Sequence, residues 1–310
     1  MRSALALCLW FAVTFAAVPV AAQAPGDVDT LIARITELYN SGKYAEALPL
    51  AQQAVVMRET RFGSDHSAVA EALTTTAALN QRLGRHRDAE PLLQRALIIN
   101  EKAFGPDSSN TAQAISNLAG LYRVMGRLSE AEPLYKRSLA ISEKSQGPNH
   151  PDVANSLHDL AMIYWVQNRV EDVEPLFQRA LAIRENAYGR DHPAVAHTLN
   201  NMAGFYRDQG RHEQVEPLFK RVLAMTEKAL GPSHLAVAVG LNNLAVLYQE
   251  MGRPTEAEPM HRRALTIRET ALGANHPHVA ASIHNLAELY RTLGRDADAE
   301  ALARRAKPAR

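Results

Sequence analysis

The chain has 310 residues, of which 46% are hydrophobic and 22% charged, a balance typical of a folded protein and too apolar for a disordered one. Lys and Arg number 34 against 33 Asp and Glu, so the chain lacks the broadly basic character of a nucleic-acid-binding protein. Its single cysteine, Cys8, excludes a disulfide framework and a thiolate zinc site from the rest of the chain.

The N-terminal segment resembles a secretory signal. Arg2 precedes an uncharged apolar stretch over 4–18, and small residues follow at 20–22. This pattern predicts a signal peptide over 1–24, cleaved on export, and a periplasmic or secreted mature chain. The alternative is a membrane anchor that stays uncleaved, because the apolar character extends to Ala22 and ~20 such residues span a bilayer.

After this segment the chain repeats every 42 residues. Three features keep this spacing, namely a Gly-Arg dipeptide, a histidine and a Glu-Pro dipeptide. Gly-Arg stands at 84–85, 126–127, 210–211, 252–253 and 294–295, histidine at 66, 150, 192, 234 and 276, and Glu-Pro at 90–91, 132–133, 174–175, 216–217 and 258–259. A register held this long indicates a repeat protein rather than two globular domains.

Each repeat predicts two helices. Around residues 237–251 the apolar residues have helical spacing, Gly252 interrupts them, and a second helical pattern runs from about Thr255 to Gly273. An N-cap is expected two residues after each such glycine, at Asp65, Asp107, Asn149, Asp191, Ser233 and Asn275. The histidines that follow are expected to cap or pack the loops between repeats.

Other recurring residues predict how the repeats pack. Six alanines in one slot of the first helix indicate close helix contact, and a larger residue there would overpack it: Ala77, Ala119, Ala161, Ala203, Ala245 and Ala287. A glutamate and an arginine also recur, and we expect ion pairs within and between repeats. They are Glu90, Glu132, Glu174, Glu216, Glu258 and Glu300, with Arg95, Arg137, Arg179, Arg221, Arg263 and Arg305.

Two motifs resemble those of the tetratricopeptide repeat. The first helix carries Leu-Ala-x-x-Tyr, as at 118–122 and 244–248, and the second places a small residue four before an aromatic, as at 131 and 135. The 42-residue length is similar to the repeats of kinesin light chains. The resemblance covers about residues 28–310 and implies an all-α, right-handed α-α superhelix of about seven helix pairs. It also implies one solenoid domain over 25–310, with atypical first and last repeats.

The resemblance further implies a concave groove lined by the first helices. In the family, asparagines there hold the backbone of a bound peptide, and an arginine or aromatic residue six positions on also faces the groove. The candidate groove residues are therefore Asn117, Asn200, Asn201, Asn242, Asn243, Asn285, Arg123, Arg207, Arg291 and Trp165. The arginines favour an acidic peptide, whereas Asp159 interrupts the asparagine series and favours a mixed or basic contact near the middle.

These observations predict an exported, non-enzymatic module that binds a protein or peptide partner in its groove. No catalytic motif is recognised, and we expect no cofactor, no metal, no nucleic-acid partner and no membrane span after cleavage. The histidines of successive repeats are separated by a helix pair, which is too far for shared zinc ligation at ~2.0–2.1 Å. The alternative is an envelope scaffold that acts through its convex face or the solenoid ends.

Overall fold

The computed structural model describes residues 28–305, so the predicted signal peptide over 1–24 lies outside the described residues. Within this range the secondary structure consists of fourteen α-helices. They are α1 (Val28–Asn40), α2 (Tyr44–Phe62), α3 (Ser67–Arg82), α4 (His86–Phe104), α5 (Ser109–Val124), α6 (Leu128–Gln146), α7 (Pro151–Val166), α8 (Val170–Tyr188), α9 (Pro193–Asp208), α10 (His212–Leu230), α11 (Leu235–Glu250), α12 (Pro254–Leu272), α13 (Pro277–Thr292) and α14 (Asp296–Arg305). None of these helices is long and apolar enough to cross a membrane.

The helices form seven consecutive pairs. From α3 to α13 every odd-numbered helix has 16 residues, and every even-numbered helix from α2 to α12 has 19. Each helix packs against the one before and the one after it in the chain, and α5 also contacts α7. This arrangement confirms the predicted α-α superhelix of about seven helix pairs.

The turn inside each pair needs one residue with positive φ. Gly126, for example, has φ +76° between α5 and α6, a conformation that glycine adopts without steric cost. In the fourth pair Asn168 takes this position with φ +58°. Asparagine is one of the few other residues that tolerate this region, so the repeat keeps its length without the glycine.

The N-cap prediction was wrong by one residue. The caps are His66, Ser108, His150, His192, His234 and His276, each directly after the residue that was expected. His150 Nδ1, for instance, accepts from the Asp152 backbone N–H at 3.2 Å. The preceding residue lies outside the first turn. Where it is an aspartate, its side chain instead pairs with a lysine of the following even-numbered helix, as in the 2.5 Å ion pair of Asp107 with Lys144. The expectation that the histidines cap or pack the loops between repeats is confirmed, because they form the N-caps that follow these loops.

The six alanines of the first-helix slot are buried in the core, as predicted. Ala77, Ala119, Ala161, Ala203 and Ala245 are 0% exposed and Ala287 is 3% exposed. They belong to one apolar cluster that extends along the superhelix from Ala77 to Leu302. The core is therefore a continuous seam between the two layers of helices.

From the second helix pair onward, a recurring ion pair joins each pair to the next. Glu216 on α10 accepts from Arg253 Nη1 at 2.6 Å and from the Tyr248 hydroxyl at 3.2 Å. The Arg253 guanidinium also lies 4.6 Å from the centre of the Tyr248 ring. We call this arrangement the inter-repeat clasp. It recurs at Glu90, Glu174 and Glu258, and at Glu132 with Gln167 donating in place of the tyrosine.

The recurring arginine at 95, 137 and the equivalent positions also joins repeats. Its partner is not the recurring glutamate five positions before it in the sequence. Arg137 on α6 pairs at 2.7 Å with Glu101 of the preceding even-numbered helix. The same contact is made by Arg95, Arg179, Arg221, Arg263 and Arg305 with Glu59, Glu143, Glu185, Glu227 and Glu269. Ion pairing between repeats is thus confirmed, through two separate sets of contacts.

We predict that Ala161→Leu lowers the free energy of unfolding by about 1–3 kcal/mol, because the site has no room for the added methyl groups. Urea denaturation followed by circular dichroism measures the change. Ala182→Leu, at an exposed position of α8, is the matched control and should shift stability by less than about 0.5 kcal/mol. Equal effects of the two substitutions would contradict the packing argument.

The clasps predict acid sensitivity. Hydrogen bonds from Lys220 and Arg253 lower the pKa of Glu216 from 4.5 to about 2, and those from Lys136, Gln167 and Arg169 lower that of Glu132 to about 2. A lowered carboxyl pKa stabilises the folded state above pH ~4.5, and this contribution is lost as the pH falls towards 2. The double variant Glu132→Gln/Glu216→Gln should therefore show a flatter dependence of Tm on pH between 4.5 and 2. Glu213→Gln, at an exposed position of α10, should leave the curve unchanged.

Candidate functional site

The odd-numbered helices line a polar cavity of about 450 Å³ between α3 and α9. Its walls include Gln81 from α3, Asn117 and Arg123 from α5, Asn155 from α7 and His197 from α9. Asn155 and His197 are exposed, so the cavity opens to solvent. We call this cavity, with the row of polar residues that continues it along α9, α11 and α13, the inner groove.

The floor of the inner groove is formed by even-numbered helices and is unusually polar for a repeat core. Ser138 on α6 is buried, donates to the Ala112 carbonyl at 2.9 Å and contacts Ser116 Oγ at 2.7 Å and Ser156 Oγ at 3.2 Å. These serines satisfy one another and the backbone. Ser138 gives the floor a small, hydrogen-bonding side chain at a position where both neighbouring pairs have alanine, at 96 and 180.

Arg184 on α8 is the most deeply placed charge of the groove, with only 6% of its surface exposed. Its guanidinium donates to Asn155 Oδ1 at 2.8 Å and to Thr198 Oγ1, and it lies 3.4 Å from His158 Nδ1. All three partners are neutral. Burial lowers the pKa of Arg184, and the nearby Asp159 opposes that effect.

His158 connects this arginine to the next helix pair. Its Nε2 lies 2.9 Å from Asn201 Nδ2, and its ring centre lies 4.7 Å from that of His197. Burial and then the Arg184 charge lower the pKa of His158 to about 3, so the ring is neutral at pH 7. A neutral ring can accept at Nδ1 from the arginine, which only donates.

Asp159 forms no ion pair within 4.0 Å among the described residues, although the charges of Arg123 and Arg184 both act on its carboxyl. Burial raises its pKa to about 6, and Arg123 and Arg184 offset this only in part. Arg123 also acts on the buried Tyr135 hydroxyl, and its Nε is buried without a hydrogen-bond partner among the described residues. The middle of the groove therefore holds two arginines and one carboxyl, close together but unpaired.

The predicted groove residues divide between the cavity and its continuation. Asn117 and Arg123 line the cavity, where Asn117 accepts from Gln113 at 3.0 Å. Asn201 adjoins the cavity through His158. Asn200 and Arg207, both on α9, are exposed beyond it.

The last predicted positions lie on α11 and α13. Asn285 Nδ2 donates to Asn242 Oδ1 at 2.9 Å, a bond that joins these two helices. Asn243 is half-buried, and Arg291 is exposed and paired with Glu288 of its own helix. These residues continue the polar row of the inner groove without adding to the cavity.

Trp165 packs against the following helix pair. Its indole Nε1 donates to Asp208 Oδ2 at 3.2 Å, and its ring meets that of Phe205 edge-on at 6.0 Å. The far edge of the indole rests on Gly204, where a Cβ would lie 2.9 Å from it. The side chain is only half-buried, so part of its surface remains accessible beside Arg207 and Asp208.

The sequence reasoning missed Arg184, because it considered only the first helix of each repeat as groove-lining. A signal was present: the slot holds Arg58, Asn100, Ser142, Arg184, Thr226 and Arg268, a polar run within an otherwise apolar face. The sequence identified Asp159 as an interruption of the asparagine series, but its proximity to a buried arginine depends on how α7 packs on α8, which the repeat pattern does not specify.

The described residues bring together no group of three or more His, Cys, Asp or Glu side chains that could hold a metal ion. The histidine caps stand in five different helix pairs, one in each, as the repeat spacing requires. The chemistry of the groove is thus that of hydrogen bonds and of two guanidinium groups.

Paired helices of constant length, stacked only on their sequence neighbours and lined on one side by polar residues, define an α-solenoid repeat protein. The family model of the tetratricopeptide repeat matches residues 36–102, 77–144, 110–186, 164–228, 194–270 and 236–310. The chain belongs to the tetratricopeptide repeat family. No curated protein matches the chain significantly.

Solved structures with the same fold include BtubC (BKLC) from P. vanneervenii, at 24% identity and a TM-score of 0.62 over 81% of this chain and 94% of that one. A Podosopora anserina protein assigned as a kinesin light chain, with nearly identical TPR-like repeats, is 26% identical, with a TM-score of 0.58 over 64% and 94% of the two chains. A Rap protein complexed with Competence and Sporulation Factor is 15% identical, with a TM-score of 0.52 over 90% and 75%. The similarity to kinesin-light-chain-type repeats is confirmed.

The raised pKa of Asp159 predicts a gain in stability on its removal. A carboxyl whose pKa rises from 3.8 to about 6 on folding makes the folded state less stable as the pH increases through that range. Asp159→Asn should therefore raise the free energy of unfolding at pH 7.5 by about 1–3 kcal/mol, with the gain disappearing near pH 3.5. Urea denaturation at the two pH values measures it, with Asp88→Asn, an exposed position of α4, as control. A gain of equal size at both pH values would show that ionisation of Asp159 is not its cause.

Proposed function

We propose that this protein is exported and binds an extended polypeptide segment of a partner in its inner groove. Its tetratricopeptide repeats make it a scaffold for protein–protein interaction, and nothing in the described residues indicates catalysis. The observation that carries the proposal is the inner groove itself: an open polar cavity continued by a row of asparagines and arginines on one side of the superhelix.

The groove offers the groups that an extended backbone requires. A side-chain amide both donates and accepts, so it can satisfy the N–H and C=O groups of a strand-like segment whatever its side chains. Asn117 and Asn243 are half-buried at equivalent positions of α5 and α11. Trp165 retains an accessible surface between them that could receive an apolar side chain of the partner.

Export is proposed from the N-terminal sequence. A positive residue, an apolar stretch and small residues at 20–22 are the features that direct a chain to a secretory pathway. The groove would then meet its partner in the periplasm or outside the cell. An uncleaved segment would instead hold the superhelix at the membrane surface.

Two features support binding in the groove of such a scaffold. A Rap protein with the same fold was crystallised with Competence and Sporulation Factor. In this chain the polar residues that break the repeat pattern are concentrated in the groove, whereas the clasps and caps recur in nearly every pair.

A second candidate function is a scaffold that uses the opposite face. Val56 on α2 and Ile98 on α4 occupy the same slot of successive repeats and are 59% and 63% exposed. Two adjacent apolar side chains on the outer surface are a possible contact for another envelope protein.

The groove proposal is tested by selecting short peptides with free C-termini from a randomised synthetic library on the immobilised protein. The groove variant combines Asn117→Ala, Asn243→Ala and Arg207→Ala, and it omits Asn201, whose amide contacts buried His158. We expect the selected peptides to bind this variant at least 10-fold more weakly than wild type, with helical content and Tm nearly unchanged.

The matched control changes three exposed residues in one slot of the even-numbered helices: Arg87→Ala, Glu171→Ala and Glu213→Ala. This variant should bind the peptides like wild type. Selection of no peptide, or equal binding by the groove variant, would overturn the groove proposal. Binding lost only in a Val56→Ser/Ile98→Ser variant would favour the outer-face scaffold.

A further inference from the structure

The junction between the first two helix pairs has only part of the inter-repeat clasp. Leu48 on α2 stands at the position of the clasp glutamate, and Asn80 on α3 stands at the position that holds tyrosine in most clasps. The clasp arginine is present as Arg85, in the turn between α3 and α4. Its side chain has no ion pair within 4.0 Å and no hydrogen bond among the described residues. This junction therefore keeps the cation of the clasp and lacks its anion.

A cavity of about 360 Å³ lies at this junction, between α2, α3 and α4. Its walls include Leu48, Asn80 and Arg85, together with Gln52, which stands four residues after Leu48 as Gln94 does after Glu90. Leucine and asparagine reach less far than glutamate and tyrosine, so the space that the other junctions fill stays open here. We call these four lining residues, namely Leu48, Gln52, Asn80 and Arg85, the incomplete clasp.

The incomplete clasp is separate from the inner groove. On α3 its cavity is lined by positions 73, 76 and 80, whereas the cavity of the inner groove uses 74, 78 and 81. The two cavities thus lie on different sides of that helix and share no lining residue. The cavity at the incomplete clasp opens between two even-numbered helices, where Gln52 and Arg85 are exposed.

The complete clasps show which ligand this arginine position binds. In all five of them Nη1 of the arginine lies 2.6–3.0 Å from a glutamate oxygen. The hydrogen bond from Arg211 lowers the pKa of Glu174, so the arrangement favours an ionised carboxylate. That clasp has Gln178 at the position of Gln52, which means that no lysine is needed at this position. The repeat itself therefore indicates that a carboxylate suits Arg85.

Asp88 does not supply the missing carboxylate. It lines the cavity three residues after Arg85, is exposed, and forms no ion pair with Arg85 within 4.0 Å. The complete clasps also have a polar or acidic residue at this distance. Arg127, for example, holds Glu130 through Nε and Glu90 through Nη1 at the same time. An aspartate at 88 therefore leaves Nη1 of Arg85 available for a second carboxylate.

Exposed apolar side chains border the cavity. Val56 lies on α2 between the lining residues Gln52 and Glu59, and Ile98 lies on α4 three residues after the lining residue Arg95. Glu59 and Arg95 are paired with each other at 2.6 Å, so they do not compete for a ligand. A free carboxylate ion would leave Val56 and Ile98 in water. A polypeptide that places an acidic side chain in the cavity can also cover them with an apolar one.

We propose that the incomplete clasp is a docking site for a segment of a partner protein that carries an acidic side chain beside an apolar one. The carboxylate binds Arg85 and Gln52, and the apolar side chain packs on Val56 and Ile98. The site lies outside the inner groove, so this proposal does not depend on binding in the groove. It states the chemistry of a partner for the outer-face contact.

The probe is a peptide selected from a randomised synthetic library with acetylated N-termini and amidated C-termini, so that only side chains carry carboxylates. Selection uses the immobilised groove variant, which excludes peptides that require the inner groove. We expect the selected peptides to share an Asp or Glu beside an apolar residue. Replacing that acid by Asn or Gln should weaken binding about 10-fold or more, because a hydrogen bond between charged groups is removed. Fluorescence polarisation gives both dissociation constants.

Arg85→Gln should bring the ratio of these two constants close to one. Leu48→Glu supplies a carboxylate from within the chain and should weaken the acidic peptide by at least 10-fold. Circular dichroism checks that this variant folds, since Leu48 is buried. If it does not fold, Arg85→Gln still tests the site, because Arg85 is exposed. The matched control is Arg87→Gln, an exposed residue of α4 outside the cavity, which should leave the ratio unchanged.

Val56→Ser/Ile98→Ser tests the apolar half of the site. It should weaken the acidic peptide and its neutral version by the same factor, so that the ratio of their constants stays as in wild type. No effect of this double variant on either peptide would overturn the apolar contact.

Selection of no peptide on the groove variant, or equal binding of the selected peptides to wild type and to Arg85→Gln, would overturn the docking site. The inner groove is judged separately, by the peptides selected on the wild-type protein. Acetylated and amidated glutamate serves as a lone carboxylate and should displace the peptide only at far higher concentration. Displacement at the concentration of the peptide itself would overturn a polypeptide segment as the ligand.

Discussion

The superhelix depends on one steric constraint, the contact at the alanine slot of each odd-numbered helix. Because Ala161 and its equivalents have almost no exposed surface, the helices on either side approach as closely as their backbones allow. That approach brings each clasp glutamate within reach of an arginine of the next pair and, in every clasp but that of Glu132, of a tyrosine as well. The polar contacts follow from the packing, and their geometry is repeated because the packing is repeated.

Comparison of the repeats also shows which residues the fold requires and which it does not. The clasps, the histidine caps and the positive-φ turns are found in nearly every pair, so they are explained by folding alone. Asp159 occurs once in its slot, whereas Arg184 has a counterpart in Arg268, which donates to Ser282 as Arg184 donates to Thr198. The raised pKa of Asp159 is therefore the feature of the cavity that the repeat alone does not explain.

Most of the fold could be predicted from the sequence. The spacings of glycine, proline and small residues indicate the helix boundaries and the packing face, and they do so in each of six repeats. The N-cap error arose because Asp65 and His66 are both able to cap, and only the backbone geometry decides which of the two precedes the first turn. The expected ion pairs between repeats are present, but the sequence does not specify their partners: Glu90 and Arg95 are close in sequence, yet the stacking of pairs brings Arg127 to one and Glu59 to the other. Asn117 and Arg123 were placed in the cavity, whereas Arg184 was missed because its slot lies on the second helix.

The uniform length of the helix pairs has a consequence for how such a chain can change over time. Each pair touches only the pairs before and after it, and from the second pair onward each junction uses the same alanine contact and nearly the same clasp. A whole pair can therefore be duplicated or lost with every remaining junction intact. The groove would lengthen or shorten by one row of side chains while its register stayed the same, so new partners could be acquired by adding rows rather than by redesigning the scaffold.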